Sequence, residues 1–276
     1  MSDKTRHILG LSGGKDSTAL AIHMRDRVPQ MEYVFCDTGK ELRETYEYLD
    51  RVEAYLGKKL IRLNSDFDFD HWLQIYGGYL PSSRMRWCTR QLKLRPFERY
   101  VGDDPVINYV GIRADENRDG YISTKPNIRS VFPFKEDGIR KADVLRILEE
   151  SGVGMPTYYE WRSRSGCYFC FFQRREEWVG LLEHHPDLFE KAKQYERTDP
   201  TTGERYTWAQ RESLEDLSQP ERLVQIRLNA SQRKNQRAAS PRPNRPLIEV
   251  LAPPDIKGDA DDSLDDDERP CLICEL

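Results

Sequence analysis

Ser12-Gly13-Gly14-Lys15-Asp16-Ser17 is the stretch on which the fold turns. A short apolar segment, His7-Ile8-Leu9-Gly10-Leu11, leads into it, and Thr18-Ala19-Leu20-Ala21-Ile22-His23-Met24 leads out as a helical stretch. Strand, glycine turn and helix start in direct succession make an anion site. Glycine lets the backbone turn sharply and come close to a ligand. The orphan amides and the dipole of a helix N-terminus favour negative charge there. Lys15 adds a cation, and Ser12 and Ser17 add hydroxyl donors. The spacing is not that of a Walker loop, which needs a longer glycine-to-glycine gap before Gly-Lys-Ser/Thr.

Outward from this corner, strand and helix alternate. Strands are expected at 7–11, 32–36, 59–63 and 106–111, and helices at 15–27, 41–56, 70–75 and 90–100, with Pro96 awkward inside the last. Gly57 is the stop signal of the second helix. This alternation predicts an α/β fold, a doubly wound parallel sheet, whose ligands sit at the carboxyl ends of the strands. The Ser12–Ser17 loop, Asp37-Thr38-Gly39 and Gly111-Ile112-Arg113 all fall at that edge. Helices are expected at 141–150, 176–183 and 186–196 as a cap on the sheet. The domain reading is 1–220 for the sheet with its cap and 221–276 for an extended tail.

Composition narrows the class. The chain has 276 residues, 38% apolar and 33% charged, with net charge −4. No apolar run reaches the roughly eighteen residues of a membrane span, and residues 1–6 predict no signal peptide. A cytoplasmic, reducing setting is expected, in which the six cysteines are thiols or metal ligands. The charge is uneven. Residues 222–245 carry Arg222, Arg227, Arg233, Lys234, Arg237, Arg242 and Arg245 with no acid, whereas 255–268 carry eight acids and one lysine. The basic stretch is either a nucleic-acid contact or a solvated linker paired with the acids next door.

Several residues carry candidate chemistry. Asp37 can accept hydrogen bonds from a nucleoside, help hold a metal, or cap the next helix. Gly111 permits close approach, and Arg113 and Arg118 can grip phosphate with their planar forks. Cys88 lies in Arg86-Trp87-Cys88-Thr89-Arg90-Gln91-Leu92-Lys93, and Cys167 and Cys170 lie in Ser165-Gly166-Cys167-Tyr168-Phe169-Cys170. A second C-x-x-C closes the chain at Cys271 and Cys274. Two metal readings stay open: zinc on the two C-x-x-C pairs, or a 4Fe-4S cluster on Cys88, Cys167, Cys170 and a terminal cysteine, assigned to Cys274. Cys36 reads as a buried strand residue, and Tyr158, Tyr159, Trp161, Tyr168, Phe169, Phe171 and Phe172 read mostly as core.

Taken together, S-G-G-K-D-S, D-T-G, W-C-T-R-Q-L-K-L-R-P, G-I-R-A-D-E-N-R and S-G-C-Y-F-C resemble the phosphoadenosine-phosphosulfate-reductase-like branch of the PP-loop ATP pyrophosphatases, collinearly over roughly residues 6–196. The resemblance implies an adenine nucleotide α-hydrolase-like sheet, with Ser12, Gly13, Gly14, Lys15, Asp16 and Ser17 holding the phosphates of ATP. It puts Asp37 near the nucleoside and Arg113 and Arg118 on phosphate or sulfate. Lys15, Asp16 and Arg113 would be catalytic and Mg2+ would accompany the polyphosphate. Cys88, Cys167 and Cys170 fall where iron–sulfur members place cluster ligands. The departures are Cys88-Thr89 in place of adjacent cysteines and the lack of a Glu-Cys-Gly tail. A single cysteine followed by T-R-x-L-K looks closer to the ATP pyrophosphatases of DNA phosphorothioation systems, which implies DNA and a cysteine desulfurase or other sulfur-transfer protein as partners. A sulfonucleotide reductase is the alternative enzyme, and a non-catalytic nucleic-acid adaptor the alternative of another class.

Overall fold

The computed structural model describes residues 5–117, 123, 125–209 and 212–239. Arg118, the acidic run and Cys271 and Cys274 lie outside the described residues. Two compact units divide between Cys170 and Phe171.

The first unit is built on β1 (Arg6–Gly10), α1 (Lys15–Met24), β2 (Glu32–Asp37), α2 (Arg43–Leu56), β3 (Ile61–Asn64) and α3 (Phe69–Ile75). Then come α4 (Trp87–Thr89), a π-helical turn (Arg90–Leu94), α5 (Arg95–Val101), β4 (Val106–Tyr109), β5 (Ile128–Val131), α6 (Pro133–Glu136) and α7 (Lys141–Glu150). The five strands form one parallel sheet in the order β3-β2-β1-β4-β5. This is the doubly wound α/β sheet expected from the alternation. Strand order reverses beside β1, so the loops after β1 and β4 flank the crevice where such sheets bind ligands.

Strand residues alternate between the two faces. Leu9, Tyr33 and Phe35 enter one core with Leu20 of α1, Leu49 and Val52 of α2 and Val144 and Leu148 of α7. Ile8, Val34, Cys36 and Val106 enter the opposite core with Phe97 and Val101 of α5. Cys36 is the buried strand residue the sequence suggested. Gly57 ends α2 in the left-handed conformation, its amide returning to the Glu53 carbonyl.

Three differences have physical causes. β5 is absent from the sequence reading because Ile128-Arg129-Ser130-Val131 is short, polar and only partly buried at the sheet edge. The helix at 90–100 begins earlier and widens into a π turn before Pro96, where the Arg95 amide reaches back five residues to the Arg90 carbonyl. A proline lacks the amide and crowds the carbonyl four residues before it, and a wider turn relieves both. Asp37 and Thr38 do not cap α2, whose N-cap is Leu42. Asp37 instead closes its own turn, accepting the Gly39 amide at 2.8 Å.

The second unit holds α8 (Arg175–His184), α9 (Pro186–Lys193), the short hairpin of β6 (Arg197–Thr198) and β7 (Arg205–Tyr206), α10 (Leu214–Leu217) and α11 (Pro220–Ala239). Pro186 occupies the first turn of α9, as its fixed φ allows. Trp178, Leu181, Phe189, Leu214 and Leu217 are fully buried and give this unit its own core. The sequence reading placed its boundary near residue 220 and read the basic stretch beyond as tail. Residues 220–239 are helical, with Ile226 buried. Arg222 pairs with Glu212, Arg227 with Glu183 and Arg233 with Glu176. These arginines thus meet acids of their own unit.

Candidate active site

The Ser12–Ser17 corner is held by polar contacts from distant segments. Gly13 sits at φ +75°, and a Cβ there would stand 2.8 Å from Thr45 Cγ2. A Cβ on Gly14 would stand 2.9 Å from Ser165 Oγ and 3.3 Å from Tyr159 Oη. The Ser12 and Ser17 hydroxyls lie 3.1 Å apart, Ser17 donates to the Gly14 carbonyl, and Ser165 donates to Ser12 at 3.2 Å. Tyr158 donates to the Gly13 carbonyl at 2.7 Å, and the Lys15 amide donates to the Tyr159 hydroxyl at 3.2 Å. No side chain caps α1, whose N-cap is Gly14. From the β4 side, a Cβ on Gly111 would meet the Asp16 backbone at 3.2 Å, so close approach is the reason for glycine there.

Lys15, Asp16 and Arg113 converge. Lys15 Nζ lies 3.1 Å from Asp16 Oδ2 and 5.4 Å from the Tyr159 ring centroid. Burial works against the Lys15 charge, but Tyr159 and Asp16 outweigh it and hold the ammonium above its ordinary pKa. Arg113 is 1% exposed. It donates to Asp16 Oδ1 at 2.9 Å and to Asp115 at 3.0 Å, and pairs with Glu116 at 2.7 Å. The sequence reading offered this fork to a phosphate. In the structure it faces carboxylates and positions Asp16. Burial works against this charge too, and Asp16 and Glu116 override it.

Tyr158, Tyr159 and Ser165 were not expected at the phosphate loop. The two tyrosines read as core, and their hydroxyls reach the loop across more than 140 residues of sequence. Pro156, opening the 3-10 turn Thr157–Glu160, was the local signal available.

A thiol pocket adjoins this corner. Cys167 Sγ lies 3.1 Å from Thr38 Oγ1 and 3.7 Å from Glu41 Oε1, while Thr38 donates to Glu41 at 3.0 Å. Burial drives the Cys167 thiol well above its ordinary pKa, with Glu41 adding to the effect. Burial pushes Cys88 up to about 11, and Cys170 contributes. Lys93, on the π turn, is buried. Its desolvation is offset first by Glu41 and then by Cys167, and its charge is favoured overall. Soft thiol donors suit zinc or an iron–sulfur centre, and the second oxygen of Glu41 is buried without a hydrogen-bond partner. Among the described residues, however, no three His, Cys, Asp or Glu side chains gather to hold a metal ion. The expected fourth ligand, Cys274, lies outside the described residues. Asp37 accepts from the Tyr46 hydroxyl at 2.8 Å, next to this pocket in sequence.

Residues 6–133 match the phosphoadenosine phosphosulfate reductase domain, and carry both the Ser12–Ser17 loop and Gly111–Arg113. A protein of Methanocaldococcus jannaschii, described as uncharacterised, is 27% identical over 198 residues, covering 67% of this chain and 40% of its own. A tRNA-specific 2-thiouridylase of Pseudomonas putida is 29% identical over 185 residues, covering 54% of this chain and 49% of its own. The chain thus spans less than half the length of each. A phosphoadenylyl-sulfate reductase structure from Candida auris aligns with TM-score 0.47 at 16% identity, over 59% of this chain and 82% of that one. Among the described residues no helix is long and apolar enough to cross a membrane.

Proposed function

We propose that the phosphoadenosine phosphosulfate reductase-like domain is an ATP pyrophosphatase that adenylates an oxygen of its substrate for replacement by sulfur. The acceptor oxygen attacks the α phosphorus of ATP. The bond from that phosphorus to the α–β bridging oxygen breaks, and its electron pair leaves with pyrophosphate. The observation that carries this reading is the Ser12–Ser17 corner, an uncapped helix start at the switch point of a parallel sheet, with Lys15 beside it. Preorganised amides and a fixed ammonium stabilise charge developing on the β and γ phosphates. Asp16 holds Lys15, and Arg113 holds Asp16. Mg2+ would accompany the polyphosphate as it commonly does.

The family match and the similarity to a tRNA-specific 2-thiouridylase support ATP-using, sulfur-related chemistry. The acceptor in this reading is the DNA backbone, modified to a phosphorothioate, with sulfur delivered by a cysteine desulfurase or another sulfur-transfer protein. Cys88, Cys167, Cys170 and Cys274 belong to the same proposal as ligands of a 4Fe-4S cluster, zinc being the alternative. No step above passes through it.

The test is pyrophosphate release from ATP, with and without DNA. Release from the wild-type protein, abolished by Lys15→Ala with Asp16→Ala, is the expected result. Sulfite from an adenylylated sulfate would establish the sulfonucleotide reductase instead. DNA binding that never leads to pyrophosphate, and that the double change leaves intact, would make the protein an adaptor.

A further inference from the structure

The longest acid-free stretch of residues 1–170 begins within α3 and runs to α5. Residues 71–97 hold Arg84, Arg86, Arg90, Lys93 and Arg95 and no aspartate or glutamate. Arg84, Arg90 and Arg95 are exposed. The acids just before it are engaged: Asp66 pairs with Arg99, Asp68 caps α3, and Asp70 pairs with Lys40. Apolar surface accompanies the charge, with Phe67 49%, Tyr79 44% and Met85 43% exposed. Phe67 stacks on His71 at 4.1 Å and 14°, meets Trp72 edge-on, and Arg95 lies over Trp72 at 5.9 Å.

This surface has a rigid floor. Phe69 packs on Trp87 at 4.9 Å and on Phe169 at 4.4 Å, Tyr76 stacks on Trp87, and the Trp87 indole donates to the Tyr79 carbonyl. The floor continues to the phosphate corner through one short stretch. Ser165 touches Ser12, Cys167 touches Thr38, and Phe169 lies beneath Phe69.

We infer that this aromatic and arginine-bearing surface, and not the basic helix α11, docks the acceptor, and that it takes DNA in single-stranded form. The inference rests on the proposed DNA acceptor. Exposed rings stack on unpaired bases, and arginines follow the phosphates. A duplex hides the base faces that such rings need. On α11, Arg222, Arg227 and Arg233 already face glutamates, which leaves that helix poorly fitted to a polyanion.

The experiment is fluorescence anisotropy of the full chain with a labelled single-stranded oligonucleotide and with its duplex, across a salt series. The single strand should bind more tightly than the duplex. Phe67→Ala and Tyr79→Ala should each weaken it by about 5- to 150-fold, the range for one lost base stack. Arg84→Gln with Arg90→Gln should lower the salt slope by about 1.4, for two phosphates released on a single strand. Arg227→Gln on α11 should change neither quantity. Ring variants that bind like wild type, a duplex that binds as tightly as the single strand, or a loss confined to Arg227→Gln would overturn the inference. Pyrophosphate release from ATP alone, measured in parallel, separates the two proposals. Release without single-strand binding removes only the docking surface. Single-strand binding by a protein that never releases pyrophosphate removes only the enzyme.

Discussion

Gly13→Ala tests whether the phosphate corner is fixed by its backbone. At φ +75° an alanine incurs the left-handed penalty, about 1–2 kcal/mol. Its Cβ would stand 2.8 Å from Thr45 Cγ2 on α2, and that methyl belongs to a fully buried residue. Overpacking of this kind costs about 1–3 kcal/mol. The lower entropy of an unfolded alanine chain offsets about 0.4–1 kcal/mol, leaving a net loss of about 1–4.5 kcal/mol. Gly39→Ala supplies the comparison. Gly39 has nearly the same φ, +68°, but nothing within 4 Å of its added Cβ. It should lose only the conformational part, about 1 kcal/mol. Urea unfolding followed by tryptophan fluorescence reads both, and titration with a fluorescent ATP analogue reads the corner itself. Gly13→Ala should lose more stability than Gly39→Ala and should weaken the nucleotide as the loop shifts to relieve Thr45. Equal losses in the two variants, with unchanged nucleotide affinity, would refute the close packing of the corner against α2.

Arg113→Met should destabilise the first unit by about 3–5 kcal/mol, because it takes a buried cation away from Asp16, Asp115 and Glu116 and leaves Lys15 to pair with Asp16. Arg113→Lys should recover only part of this in thermal unfolding, since one ammonium cannot replace a fork. Tyr158→Phe should cost about 1–2 kcal/mol by leaving the Gly13 carbonyl without its donor, read by the same urea assay. The Arg6 hydrogen bond, aided by Tyr100, outweighs burial and holds the Glu32 carboxyl below its ordinary pKa of 4.5. Its contribution to stability is complete above that value and is lost as pH falls through the lower folded value. Glu32→Gln should flatten this part of the stability–pH curve. Protein purified without air should be brown and contain about four irons per cluster, and Cys167→Ser should lose them; colourless protein with stoichiometric zinc would instead favour the two-pair site.

Local chemistry made the architecture legible. β1, the glycine loop and α1 are contiguous, and their apolar spacing, glycines and helix start all point to one conformation. The same holds for β2 and β4, which carry Asp37 and Gly111 to the same edge. Where the signal was weaker, elements were missed or misread. β5 has four residues, two of them polar, at an edge. α11 was hidden by its charge, since Leu223, Ile226 and Ala230 at helical spacing were outnumbered by polar neighbours. The ion pairs to Glu176, Glu183 and Glu212 exist only once α11 is folded with its own unit.

By itself, then, the sequence determined a parallel sheet with a phosphate-shaped corner after its first strand, because turn, charge and helix start are properties of adjacent residues. Tertiary structure alone decided what that corner is made of. Tyr158, Tyr159 and Ser165 arrive from the far end of the unit to hold its backbone, Arg113 turns inward to Asp16, and Lys93 is buried among cysteines distant in sequence. Such contacts depend on which buried groups must find a partner once water is excluded, and that choice is made only when the whole chain has packed.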